Sequence, residues 1–144
     1  MTCDEFLSMI KSRGAHIAPP SDNKQILLLN AKLREHRHAM LPQFMLDLYN
    51  RTCGINLGNG YIFGPVEIIH SGTYPAPDIE RVNNDFSVFG QTHGQTIFGR
   101  NDLFWFSFDA FGRCYMLDNL SLRPLRKYDD PYRALTDCLI AGKL

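Results

Sequence analysis

Long apolar runs are missing from this sequence. No stretch approaches the roughly eighteen residues that a membrane-spanning helix requires, so a helical membrane protein is not expected. An excess of either charge is missing too: Lys+Arg and Asp+Glu both total 15. That balance argues against a dedicated nucleic-acid binder, which carries a basic face, and against a polybasic membrane-surface protein. Cysteine is sparse and scattered. Cys3, Cys53, Cys114 and Cys138 form no C-x-x-C pair and no Cys/His cluster at metal-ligand spacing. The opening Met1-Thr2-Cys3-Asp4-Glu5 is acidic where an export signal would be basic. The expectation is a cytoplasmic protein with reduced thiols, a Cys3–Cys138 disulfide being the one pairing left open. Internal repeats and low-complexity tracts are absent as well. What is present is 144 residues, 44% hydrophobic, 12% aromatic and 21% charged. This is the composition of one globular domain, able to bury roughly two thirds of its unfolded surface without a disulfide or metal.

The first half reads as helix. Thr2 and Glu5 have capping-box spacing; Phe6, Met9, Ile10 and Arg13 follow at helical intervals, and Gly14 offers a stop. Residues 15–20, with Pro19-Pro20, form a connector. Ser21 or Asp22 caps a second helix carrying Ile26, Leu29 and Leu33 and reaching to His36. Pro42 opens a third, with Phe44, Met45, Leu48 and Tyr49, ending before Gly54. Glycine and asparagine then mark a change of texture. Residues 61–69 read as a strand interrupted at Gly64-Pro65, and residues 71–81, with Pro75 and Pro77, as a surface loop. Residues 86–89 and 96–99 are short extended candidates. The clearest β signal is 103–108, a turn through Asp109-Ala110-Phe111-Gly112, and 113–117. Phe104, Phe106 and Phe108 fall on one face there and Leu103, Trp105 and Ser107 on the other, so this strand is expected to be covered on both sides or central. Residues 122–128 form a further strand that Pro124 places at an edge. Asp129 or Asp130 caps a last helix from Pro131, with Tyr132, Leu135, Cys138 and Leu139 inward and Gly142 closing it. Helices, then a mostly antiparallel sheet of about five or six strands, then a helix define an α+β single domain, residues 1–144.

No residue pattern reaches the specificity of a catalytic motif. There is no G-x-S-x-G, and Cys53, Cys114 and Cys138 read as small core residues rather than nucleophiles. His36 and His38, two apart on a helix, point roughly 160° away from each other, so Arg34-Glu35-His36-Arg37-His38 reads as a solvated helix end. His16, His70 and His93 are isolated. Asp102, Asp109, Asp118, Asp129 and Asp130 fall at turns or helix starts, where they cap backbone donors. Gly54-Ile55-Asn56-Leu57-Gly58-Asn59-Gly60 follows a helix and opens a strand, the reverse of a phosphate loop. Phe104-Trp105-Phe106 lacks interleaved basic residues, so core packing accounts for it better than base stacking. No catalytic residue, metal ligand or cofactor site is assigned.

Three blocks carry a resemblance. The first is Leu41-Pro42 leading into an amphipathic helix that ends at Cys53-Gly54. The second is Ile97-Phe98-Gly99-Arg100-Asn101-Asp102, followed by Phe106-Ser107-Phe108-Asp109, Phe111-Gly112 and Cys114-Tyr115-Met116-Leu117-Asp118. The third is Tyr128-Asp129-Asp130 opening a helix with Ala134-Leu135. In this order, from about residue 21 onward, the chain resembles the SUKH superfamily, the fold shared by a yeast cell-wall assembly regulator and many bacterial immunity proteins. The resemblance implies an antiparallel sheet flanked by helices and a non-enzymatic protein that neutralises a cognate toxin by protein–protein contact.

On that reading the partner is a protein, such as a toxin domain, met by exposed loops with a few aromatic or Arg anchors. Tyr74 in the proline loop, and Phe111 and Arg113 at the hairpin tip, are the candidate partner-binding residues. A different reading is a regulatory module binding a small ligand in a pocket beside the sheet. A third is an enzyme using Cys53 or a His/Asp pair.

Overall fold

The computed structural model describes residues 1–67 and 76–140, and within them every side chain but that of Gln91. Tyr74, His70, Pro75 and the expected stop at Gly142 lie outside the described residues.

Two capping boxes start the first helices. In α1 (Cys3–Ser12) the Thr2 hydroxyl accepts from Glu5 N at 3.1 Å, while Glu5 Oε1 accepts from Thr2 N at 3.2 Å. In α2 (Asn23–Glu35) Asp22 and Gln25 make the same exchange at 2.9 and 3.0 Å, so Asp22 rather than Ser21 is the cap. Between them the expected connector contains a two-residue strand, β1 (His16–Ile17). It forms because β2 (Ile55–Leu57) offers it an antiparallel edge, which no local sequence signal announces. Helix α3 (Gln43–Tyr49) follows Pro42 as expected.

Of the expected strand over 61–69, the described residues, which end at 67, form β3 (Gly60–Ile62) alone. Phe63 N still donates to Phe98 O at 2.9 Å. Beyond it the backbone presses on Cys53, whose carbonyl oxygen would lie 1.5 Å from a Cβ at Gly64. The largest correction comes next: residues 79–86 form a helix, α4 (Ile79–Phe86), where the reading expected the end of a loop and an extended segment. Asp78 caps it by accepting from Arg81 N at 2.8 Å, and Ile79, Val82, Asn83 and Phe86 recur at 3.6-residue spacing. Pro75 and Pro77 lie before this helix rather than inside it. A short 3-10 turn (Gly90–Thr92) leads to β4 (Gln95–Arg100), β5 (Phe104–Asp109), β6 (Cys114–Asp118), β7 (Pro124–Tyr128) and α5 (Pro131–Ile140).

Among the described residues this is an α+β domain with five α-helices and a seven-stranded sheet in the order β1 to β7, each strand antiparallel to the next. Pro124 indeed sits on an edge strand, and β5 lies inside the sheet between β4 and β6.

The two sides of the sheet differ. On one, Ile62, Gly99 and Phe106 share a face through their register. The register slips between Ile97 and Gly99, and the extra residue, Phe98, also points to this side. There Phe44 of α3 meets the rings of Phe98 and Phe108 edge-on, at 6.1 and 6.2 Å. Helix α5 lies against the same side so closely that a Cβ at Gly60 would fall 2.7 Å from Cys138 O. One at Gly99 would fall 2.9 Å from Cys138 Sγ. Helix α1 joins through Phe6 and Tyr132, 5.8 Å apart.

The other side carries Ile97, Trp105 and Ser107, with α4 against it. Asn83, buried in α4, donates to Ile97 O at 2.8 Å and accepts from Ile97 N at 2.7 Å. Its side-chain amide thus replaces the neighbouring strand where β3 has ended, satisfying backbone groups that burial would otherwise leave unpaired.

Candidate functional site

The β5–β6 turn is built around one carboxylate. Asp109 Oδ1 accepts from Phe111 N at 2.9 Å and Arg113 N at 3.0 Å. Its Oδ2 accepts from Arg113 Nε at 3.1 Å and the Tyr115 hydroxyl at 3.0 Å. Burial alone would raise the pKa of this carboxyl. The hydrogen bonds from Arg113, Phe111 and Tyr115 and the charge of Arg113 outweigh it and hold the pKa below the ordinary value of 3.8. Gly112, at φ +79°, closes the turn in a conformation that costs a side-chain-bearing residue strain.

The ring of Phe111 is thereby lifted into solvent, 82% exposed. The Arg113 guanidinium sits 5.0 Å from its centroid, so an aromatic face and a cation are offered side by side. Of the three anchors expected from the sequence, the structure brings Phe111 and Arg113 together. It does not describe Tyr74.

A second feature lies on the α4 side of the sheet. Tyr61, Arg100 and Trp105 are register partners across β3, β4 and β5, so all three point the same way. With Phe63, Pro77 and Asp102 they help line a cavity of about 320 Å³. Arg100 lies over Trp105 at 5.0 Å, and Trp105 is wedged edge-on against Phe86 at 4.8 Å. At the rim Asn59 Nδ2 donates to Asp102 Oδ2 at 2.6 Å, so Asp102 holds a side chain rather than capping backbone. The sequence reading missed this cavity. The alternation within 103–108 put Trp105 opposite the phenylalanines, but its partners lie on strands that pair only in three dimensions.

The four thiols are free, and the Cys3–Cys138 pair left open is not formed. Cys114 and Cys138 are buried as expected, and Cys3 is buried too; Cys53, expected in the core, is only half-buried, beside Gly64. Desolvation raises the pKa of all four, to about 12 at Cys114. A raised thiol pKa leaves little thiolate at neutral pH, which makes these sulfurs poor nucleophiles. Asp109, Asp118 and Asp130 do accept from backbone N–H groups at turns and at the start of α5. His36 and His38 depart from expectation: α2 ends at Glu35, so helical spacing no longer separates them, and their rings lie 6.3 Å apart.

Among the described residues no group of three or more His, Cys, Asp or Glu is placed to hold a metal ion, and no helix is long and apolar enough to cross a membrane. The fold defines the class, a helix-flanked antiparallel meander. No family model matches the chain, and no curated protein matches it.

Proposed function

We propose that this chain is a non-enzymatic, cytoplasmic binding protein of the SUKH-like immunity kind, which neutralises a cognate toxin by protein–protein contact. The observation that carries the reading is the β5–β6 tip: an 82% exposed phenylalanine on a turn fixed by Asp109. An exposed ring costs solvation free energy in the isolated chain and gains most when a partner covers it. Fixing the turn beforehand reduces the ordering cost of binding. Arg113 beside the ring supplies a charged donor for the partner's carboxylates or carbonyls.

The test is co-purification of the tagged chain from its native lysate with neighbouring gene products co-expressed, followed by affinity measurements. The expected result is a stoichiometric toxin-like partner, with Phe111→Ala and Arg113→Ala each weakening binding by roughly tenfold or more, about 1.4 kcal/mol. A partnerless chain, or unchanged affinity in both variants, overturns the reading.

The cavity beside Trp105 favours a second reading, a regulatory module for a small ligand. A recess whose described lining combines aromatic rings, one cation and one carboxylate has the mixed character of small-molecule sites. Thermal stabilisation by a metabolite, lost in Arg100→Ala, would support it.

A further inference from the structure

The histidines that the sequence scatters as His36, His38 and His93 meet at one cavity. It measures about 260 Å³ and lies between the end of α2 and the segment after α4. Phe89 forms part of its wall, and no Asp or Glu is among its described lining residues.

The end of α2 explains how two of the imidazoles get there. His38 N donates to Leu33 O at 2.8 Å and Arg37 N to Arg34 O at 3.1 Å, the paired bonds of a Schellman stop. That motif needs a left-handed residue between the two, a place usually held by glycine. Here it is Arg37, at φ +61°. A non-glycine residue in this conformation is strained, and residues so held cluster at binding and active sites, although Leu122 shares the conformation at φ +60°. The result places Arg37 on the cavity with one histidine on either side of it.

Arg37 brings a guanidinium that stays charged at any physiological pH, and the imidazoles bring ring N–H donors beside it. The pKa of His38 lies below the ordinary imidazole value: half-burial lowers it, outweighing the contact with Asn84 Oδ1 at 3.4 Å and the charge of Glu80 of α4, and neighbouring His36 lowers it further. Glu80 is itself held by Lys32 at 3.2 Å.

We propose that this cavity is a binding site for a small phosphomonoester carrying an apolar ring, the phosphate held by Arg37 and the three imidazoles and the ring set against Phe89. Planar guanidinium and imidazole donors match phosphate oxygens. The volume lies just under the roughly 300–1,000 Å³ of pockets for drug-sized ligands, so the ligand is small.

The test uses phenyl phosphate, inorganic phosphate and the neutral analogue benzyl alcohol, read by histidine ring NMR and thermal shift at about pH 6 and pH 8. Phenyl phosphate should move the His36, His38 and His93 resonances, raise the melting midpoint, and bind more tightly at the lower pH. Inorganic phosphate should bind more weakly, and benzyl alcohol should not bind. Arg37→Gly separates site from scaffold: it relieves the backbone strain, so the free variant should melt higher while its affinity for phenyl phosphate falls roughly tenfold or more. Equal binding by Arg37→Gly, equal binding of benzyl alcohol, or no histidine response at pH 6 would each overturn the assignment.

Discussion

The two sides of the sheet use alternate residues of the same strands for opposite purposes. Toward α1, α3 and α5 the strands present Phe98, Phe106 and Phe108, all without exposed surface, and glycines where α5 comes closest. Toward α4 they present Tyr61, Arg100 and Trp105, which stay partly in solvent around a cavity. One residue of shift along β5 moves from a closed core to a recess, because successive side chains of a strand point to opposite faces. Stability is therefore concentrated on the first side and at Asn83, and the surface around Trp105 is freer to change without unfolding the chain.

Four measurements can break or sharpen that contrast. Phe106→Ala, on the closed side, should cost about 3–5 kcal/mol in chemical denaturation, since tightly packed neighbours cannot fill the space. A cost below about 1 kcal/mol would show that this side is loosely packed. Asn83→Leu should cost about 3 kcal/mol, because it leaves Ile97 N and Ile97 O buried and unpaired. Hydrogen exchange at Ile97 should speed up with it; an unchanged rate would mean that the amide does not stand in for a strand. Asp109→Ala should cost about 1–2 kcal/mol and broaden the tip resonances. Because the folded pKa of Asp109 is lowered, its contribution is present above the ordinary value of 3.8 and is lost as the pH falls through the lower folded value. The variant should consequently lose less stability than the parent over that acid range, and parallel acid curves would contradict this. Arg100→Ala, on the open side, should change stability by less than about 1 kcal/mol, the scale of one exposed cation–π contact. A larger loss would mean that this side is structural as well.

Local signals carried much of this architecture. Thr2 with Glu5, Asp22 with Gln25, and Asp109 with Gly112 each act within a few residues, so their helices and turn could be read from spacing. Pro124 announced an edge because a missing N–H is a property of one residue. Asn83 could not be read this way. Its place inside a helix signals nothing until β3 stops at Ile62 and leaves Ile97 without a strand partner. The two prolines before Asp78 also drew attention from the cap itself. At the hairpin tip, alternating apolar residues and turn chemistry located Phe111 and Arg113 together. The cavities were illegible for a common reason. Trp105 shares a cavity with Tyr61 through two strand pairings, and His93 shares one with His36 and His38 because α2 stops one residue before His36 and turns at Arg37.

The close seating of α5 on Gly60 and Gly99 also bears on how the chain acquires its structure during synthesis. Every strand precedes α5, so a growing chain completes the whole meander before the helix that covers β3 and β4 is made. Neighbouring strands can pair early, since each contact spans few residues. Until residues 131–140 emerge, however, the strip formed by Gly60, Ile62 and Gly99 has no cover, and its two glycines leave the backbone and the Ile62 side chain unshielded. That interval is when the nascent sheet is most open to apolar association with another copy of itself through this face.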